Sequence, residues 1–323
     1  MKKRFCSLMI LVGVLLGITG CSASRSQEPA EIRIGCMKGP TAIGMIHLLA
    51  DSEAGETMNH YEYTIAGTAD EISTALIKGD MDIAAVPCNL ASVLYNKTEG
   101  EIVTVAVTTL GVLYLVEAGE AIETVTDLKG KTIYSTGQGT TPEYTLRFLL
   151  TSAGLNPDTD VDIQYKSEAP EVLAAMNQNP EAIDMLTQPY NTVALKGNES
   201  YRIALDVTKE WEKLTQGTVV TGVLVARKEF LETQAEAFEN FMKEYEESTE
   251  SANQEVETTA QLLEQFDVFK AAIAKQAIPY CNVTFLQGQE MMTKAMGYLK
   301  VLYDQNPKAV GGKLEEGMFY IEE

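Results

Sequence analysis

The side chains of this chain that could do chemistry gather in five short stretches. They are Lys38-Gly39-Pro40-Thr41, Gly67-Thr68, Pro87-Cys88-Asn89, Gly137-Gln138-Gly139-Thr140-Thr141-Pro142 and Gln188-Pro189-Tyr190-Asn191. Each stretch follows an apolar run and precedes a helical pattern, and each is rich in glycine, hydroxyl or amide groups. A helix start of this kind leaves unpaired backbone N–H groups and a partial positive charge, which suit a small polar or anionic ligand. The candidate contacts are Lys38, Gly39, Thr41, Gly67, Thr68, Cys88 and Asn89 from one half of the chain. Gln138, Gly139, Thr140, Thr141, Gln188 and Tyr190 come from the other, with Tyr114 toward a hinge and Gln216 as an outlying candidate. Neutral donors in that number describe recognition of a solute in a pocket with a few directed polar groups.

The same residues also have purely structural readings. Gly39, Gly67 and Gly139 can end turns, Thr68 and Thr141 can cap helices with no ligand present, and Lys38 can be a solvated loop lysine. Tyr114 and Tyr190 can wall a cleft or pack in a core. His47 and His60 are the only histidines, which leaves little acid/base capacity. Beyond Cys6 and Cys21 only Cys36, Cys88 and Cys281 remain, an odd number with no Cys-x-x-Cys pair. No metal site and no cofactor are expected from that set. Cys36 ends the first strand and Cys88 follows the third, so the two are either bridged across neighbouring strands or are free buried thiols.

The elements that must position these stretches alternate strand and helix, the pattern of sheets flanked by helices. Glu31 to Cys36 reads as a strand and Ala42 to Leu49 as a helix. Thr68-x-x-Glu71 opens a helix that stops at Gly79, and Met81 to Val86 is a buried strand. After a further strand at Val103 to Val107 the order restarts about 100 residues on. Lys131 to Tyr134 is a strand, and a helix follows with Thr141 as N-cap and Pro142 in its first position. Val161 to Tyr165 is a strand, Ser167 a cap, and Ile183 to Thr187 a strand. Asp82-Ile-Ala-Ala-Val-Pro-Cys-Asn even echoes Asp184-Met-Leu-Thr-Gln-Pro-Tyr-Asn. Two similar, mostly parallel α/β lobes in tandem are expected, each with its own core, with the acidic helical stretch Glu229 to Glu257 as a solvated face.

Composition bounds the partners. The 323 residues carry 25 Lys and Arg against 46 Asp and Glu, a net charge of -21, which repels phosphate backbones and excludes nucleic acid. Lys2, Lys3 and Arg4 precede an apolar run from Phe5 to Ile18, too short to span a bilayer and right for a secretory signal. That run ends in Ile18-Thr19-Gly20-Cys21, similar to the lipobox of bacterial lipoproteins. Residues 1-20 are then a signal peptide, Cys21 the lipidation site, and 21-30 a polar tether to the membrane.

Four stretches, Ala66 to Ala84, Val125 to Ile133, Ile183 to Tyr190 and Val223 to Glu232, resemble the type II periplasmic binding proteins of ABC transporters. The nearest group serves nitrate, aliphatic sulfonates, taurine and thiamine pyrimidine precursors. The resemblance implies an α/β fold of two sandwich lobes, 31-112 plus 221-323 and 113-220, with a cleft between them. Two crossovers, near Gly111 to Glu117 and Thr215 to Gly222, would join them. It also implies a monomeric, non-enzymatic lipoprotein that captures a small-molecule ligand by hinge closure and hands it to an ABC permease and its ATPase. Gln188 stands where that family often has Glu. An enzyme of the same fold, of the menaquinone or thiamine pathway, and a ligand-sensing lipoprotein are the alternatives.

Overall fold

The computed structural model describes residues 29–321; the expected signal segment, Cys21 and all but the end of the tether lie outside the described residues. The first sheet is begun by β1 (Glu31–Met37), α1 (Pro40–Ala54), β2 (His60–Ala66), α2 (Ala69–Lys78), β3 (Ile83–Pro87), α3 (Cys88–Lys97) and β4 (Ile102–Leu110). The chain then passes to a second sheet through β5 (Leu113–Ala118), β6 (Thr132–Ser135), α4 (Thr141–Ser152), β7 (Asp162–Tyr165), α5 (Ala169–Gln178), β8 (Ile183–Thr187), α6 (Tyr190–Gly197), β9 (Tyr201–Asp206) and α7 (Val207–Leu214). It returns with β10 (Val220–Arg227), followed by α8 (Lys228–Thr233), α9 (Ala235–Gln254), α10 (Val256–Gln265), α11 (Ala271–Ala277), β11 (Val283–Leu286) and α12 (Gly288–Gln305).

The strand orders are β11-β4-β10-β3-β1-β2 and β7-β6-β8-β5-β9. Read from the β2 and β7 edges, the two sheets follow one plan: two parallel pairings, then one antiparallel strand inserted by a crossover. In the first sheet that strand is β10, which returns from the second; in the second it is β5, which arrives from the first. The sheets are therefore mixed rather than mostly parallel, because a strand entering straight from the neighbouring sheet comes in against the local direction. Only Gly111 and Val112 separate β4 from β5. Gly111 lies so close to α7 that an added Cβ would sit 1.8 Å from the Thr208 hydroxyl.

The central strands of both sheets are buried on both faces, which is why β3 and β4 read as nearly continuous apolar runs. Each lobe has a core cluster of its own, and the two lobes share a third. The shared cluster runs from β3 and α3 of the first lobe through α12 into α4, α7 and β8 of the second. At its centre Trp211 of α7, fully buried, has its ring 4.5 Å from Phe148 and 5.1 Å from Tyr298 of α12. The Tyr298 hydroxyl also shares a 2.7 Å hydrogen bond with Thr145 of α4.

Several local expectations change. Thr140, not Thr141, is the N-cap of α4, and Glu168, not Ser167, that of α5. Thr68 is the N-cap of α2, but its hydroxyl donates to the Glu71 carboxylate at 3.0 Å rather than accepting from a backbone amide. Cys36, Cys88 and Cys281 are all free and buried, and Cys36 and Cys88 belong to different core clusters, so they do not bridge. The acidic stretch from Glu229 is three helices with a buried apolar face, and its Glu244 is buried, accepting from Met58 N–H and the Tyr61 hydroxyl. The Asp82 and Asp184 echo is out of register. Ile34 pairs with Ile83 and Ile133 with Ile183, so Asp82 precedes its strand and clamps Arg33, whereas Asp184 lies inside β8. The second lobe spends two further residues, Gln188 and Pro189, between strand and helix.

Candidate functional site

The strand ends and helix starts of the two sheets face each other across one junction. On the first-lobe side the β1–α1 turn is braced by Thr41, whose hydroxyl donates to Met37 O at 3.0 Å and accepts from Met37 N–H at 3.3 Å. Beside it Gly222 of β10 approaches so closely that a Cβ would lie 3.1 Å from both Thr41 Cγ2 and Thr109 Oγ1. A Cβ there would press on both threonines, and the Thr109 hydroxyl is fully buried with no hydrogen-bond partner. A buried hydroxyl left unpaired costs about 1–3 kcal/mol.

Asn89 crosses the junction. Its Nδ2 donates to Ala309 O at 3.0 Å in its own lobe and to Gly139 O at 3.3 Å in the other, while Oδ1 accepts from the Thr141 hydroxyl at 3.3 Å. Both side chains are buried. Farther along, Tyr190 of α6 meets Phe269 of the first lobe edge to face, with centroids 5.3 Å apart. The exposed Glu168 carboxylate reaches to 3.9 Å from where a Gly67 Cβ would stand. Burial and the Glu168 charge together raise the Tyr190 phenol above its ordinary range. Lys38 donates to Asp267 O at 2.9 Å and lies 3.6 Å from that residue's carboxylate.

The junction thus brings together Lys38, Gly39, Thr41, Gly67, Asn89, Gly139, Thr141 and Tyr190 from the expected set. No atom stands within 4 Å of a Cβ position at the exposed Gly139, and Gly39 is buried. Other expected contacts are spoken for. Cys88 is buried in the apolar cluster, and burial pushes its thiol far up. Tyr114 is buried beside the crossover, its hydroxyl 3.5 Å from Tyr280 O, which makes it a bracing residue. Gln188 is buried, and its Oε1 accepts from Thr192 N–H and hydroxyl at 3.3 and 2.8 Å, closing the start of α6 internally. Thr140 donates to Gly137 O at 2.7 Å; Gln138 and Gln216 are exposed loop residues.

Thr109, Glu168, Phe269 and Gly222 were missed by sequence reasoning. A Thr-Thr pair at the end of an apolar strand and an acid before Ala-Pro were the available signals, but Phe269 enters from a segment with no strand–helix signature. The histidines stay away from the junction. His47 is half-buried, shares a 2.8 Å hydrogen bond with Thr259 Oγ1, and is held below its ordinary range chiefly by burial; His60 opens β2 at its far end. A groove of about 370 Å³ at the opposite end of the first sheet is lined by Arg33, Asp82, Arg227 and Glu229, where both guanidiniums reach carbonyls at the end of α2. No group of three or more His, Cys, Asp and Glu that could hold a metal occurs among the described residues.

A family model described as menaquinone biosynthesis matches residues 32–285, well over half the chain. The chain belongs to this family. Its fold is that of the type II periplasmic binding proteins, as the solved structures similar to it show. An ABC transporter protein of Parabacteroides distasonis is 24% identical with a TM-score of 0.76, over 91% of this chain and 100% of that one. The periplasmic aliphatic sulphonate binding protein SsuA of Escherichia coli is 20% identical with a TM-score of 0.72, over 90% and 92%. The periplasmic nitrate-binding protein NrtA of Synechocystis is 12% identical with a TM-score of 0.65, over 86% and 82%. No curated protein matches the sequence.

Proposed function

We propose that this family member is an extracytoplasmic solute-binding lipoprotein of an ABC importer, without catalytic activity. It captures a small polar solute between lobes 31-112 plus 221-323 and 113-220 and delivers it to a permease and its ATPase. The observation that carries this reading is Asn89, a buried side chain of one lobe bonded to Thr141 and Gly139 of the other. Closure here is held by the apolar contacts of α12 with α4 and α7 together with a few directed polar bonds, and a ligand that adds to them shifts the equilibrium toward the closed shape a permease would recognise. The Ile18-Thr19-Gly20-Cys21 sequence supports a lipid anchor at Cys21, which would keep the protein at the membrane as a monomer beside its permease. Likeness in fold to binding proteins for sulphonate and nitrate supports the same reading.

The family match favours a second reading, an enzyme of the same fold acting in menaquinone formation. Against it stand the position of both histidines and export signals that separate the chain from cytosolic pathways. Mass spectrometry of the compound that co-purifies with the protein, before and after prolonged incubation, separates the two. Release of the compound unchanged, with a smaller radius of gyration in the bound state, is expected; a chemically altered product refutes the transport reading. For the anchor, Cys21→Ser is expected to release the protein from the membrane fraction, and wild-type protein without acyl mass refutes it.

A further inference from the structure

The lobe motion proposed above, on which the following rests, meets unequal resistance on the two flanks of the junction. On the α12 flank the contact is a dry core. Trp211, Tyr298, Leu146 and Leu149 are fully buried, and the Thr145–Tyr298 and Asn89–Thr141 hydrogen bonds join buried side chains. Parting the lobes there would bring into water aromatic rings that each hide about 150–250 Å², and would strand the polar groups bonded beside them.

The flank of α1 and α10 is held by far less. Its contact with the second lobe is made by one arm, residues 266–272, between α10 and α11. The arm is a rigid part of the first lobe. Asp267, at φ 54°, takes the left-handed position that closes α10; its N–H returns to Glu264 O at 3.2 Å and that of Val268 to Leu263 O at 2.8 Å. Val268 and Leu263 are buried in the first-lobe core, Lys38 Nζ donates to Asp267 O at 2.9 Å, and the Glu264 carboxylate accepts from Ala271 N–H at 3.3 Å. Beyond these anchors the arm touches α6 of the second lobe twice. Phe269 meets Tyr190 edge to face at 5.3 Å, and Ala272 O accepts from Lys196 Nζ at 2.8 Å. Lys196 is exposed and both rings are half-buried, so water can take the place of the partners when they part.

The geometry points to this arm as the latch of the closed protein. The lobes open by parting Phe269 from Tyr190 and Ala272 from Lys196 while α12 stays packed on α4 and α7, and solute passes between α6 and the arm. Electron–electron resonance distances in the ligand-free Cys21→Ser protein test this, because Cys36, Cys88 and Cys281 are buried and leave introduced cysteines to be labelled. One label pair, Glu199→Cys with Gln276→Cys, spans the arm; a second, Glu212→Cys with Thr293→Cys, spans the α12 flank, all at exposed positions. Phe269→Ala is expected to raise the open-to-closed ratio read by the first pair about three- to tenfold, the effect of losing one aromatic contact, and to leave the second pair unchanged. Lys196→Met alters only an exposed side chain and should shift the first pair in the same direction. A first pair unchanged in both variants, or a second pair that lengthens with it, overturns the latch and leaves solute capture standing. The transport reading fails separately, on a chemically altered co-purifying compound.

Discussion

The bonds that Asn89 makes across the junction can be weighed by a double-mutant cycle. Asn89→Ala removes three hydrogen bonds and strands the Thr141 hydroxyl and the Ala309 carbonyl in a buried place. At roughly 1–3 kcal/mol for each buried group left unpaired, discounted for the long 3.3 Å contacts, the expected loss of stability is about 2–4 kcal/mol. Thr141→Val keeps the shape and the branched side chain and strands only Asn89 Oδ1, so about 1–2 kcal/mol is expected. The bond between the two is lost in either single variant and cannot be lost twice. The double variant should therefore fall short of the sum by about 0.5–1.5 kcal/mol. Urea denaturation of the ligand-free protein, with all four chains compared at equal m-value, measures the coupling. Additivity within about 0.3 kcal/mol would mean that the two side chains do not meet in solution, leaving Thr145–Tyr298 as the side-chain pair bonded across the lobes beside them.

Asp184 should impose a pH dependence. Burial with no partner for either oxygen raises its carboxyl from 3.8 to about 8, so the folded state holds a proton that the unfolded state gives up above pH 4. The stability it contributes is present in acid and lost as pH rises toward 8. Asp184→Asn should therefore gain on the wild type across that window, by up to roughly 1.4 kcal/mol per pH unit; parallel denaturation curves at every pH would refute the burial. Gly111→Ala should destabilise by about 1–3 kcal/mol because its Cβ would overlap Thr208, and Thr208→Ala should recover part of the loss. A thiol titration should find Cys36, Cys88 and Cys281 unreactive in native protein, with burial holding Cys36 up at about 12, and all three reactive in denaturant; a shortfall there would show a bridge.

The local signals of the sequence were enough for the strand–helix alternation, the glycine stop at Gly79 and the tandem order. They depend on neighbours within a turn or two: apolar runs of strand length, a left-handed position that only glycine takes without strain, and Pro in the first turn of a helix. For the same reason, most of the loop residues that meet at the junction could be named in advance, since strand ends and helix starts are locally marked. The register was not legible. With two extra residues at Gln188-Pro189 before the helix, Asp184 falls inside β8 while Asp82 precedes β3, and a repeated phrase in the sequence cannot reveal which ladder its residues join.

Tertiary structure alone decided what each candidate does. Cys88, Tyr114 and Gln188 satisfy every sequence criterion for a contact, yet packing and internal hydrogen bonds consume them. Thr109 and Phe269 come to the junction from β4 and from the segment after α10, more than 150 residues apart, where no local pattern announces a shared site. Likewise the shared core of Trp211 and Tyr298 arises from contacts distant in sequence. A single chain specifies which residues are polar or apolar at each position, whereas which polar groups remain unpaired is set only when the two sheets and α12 have packed.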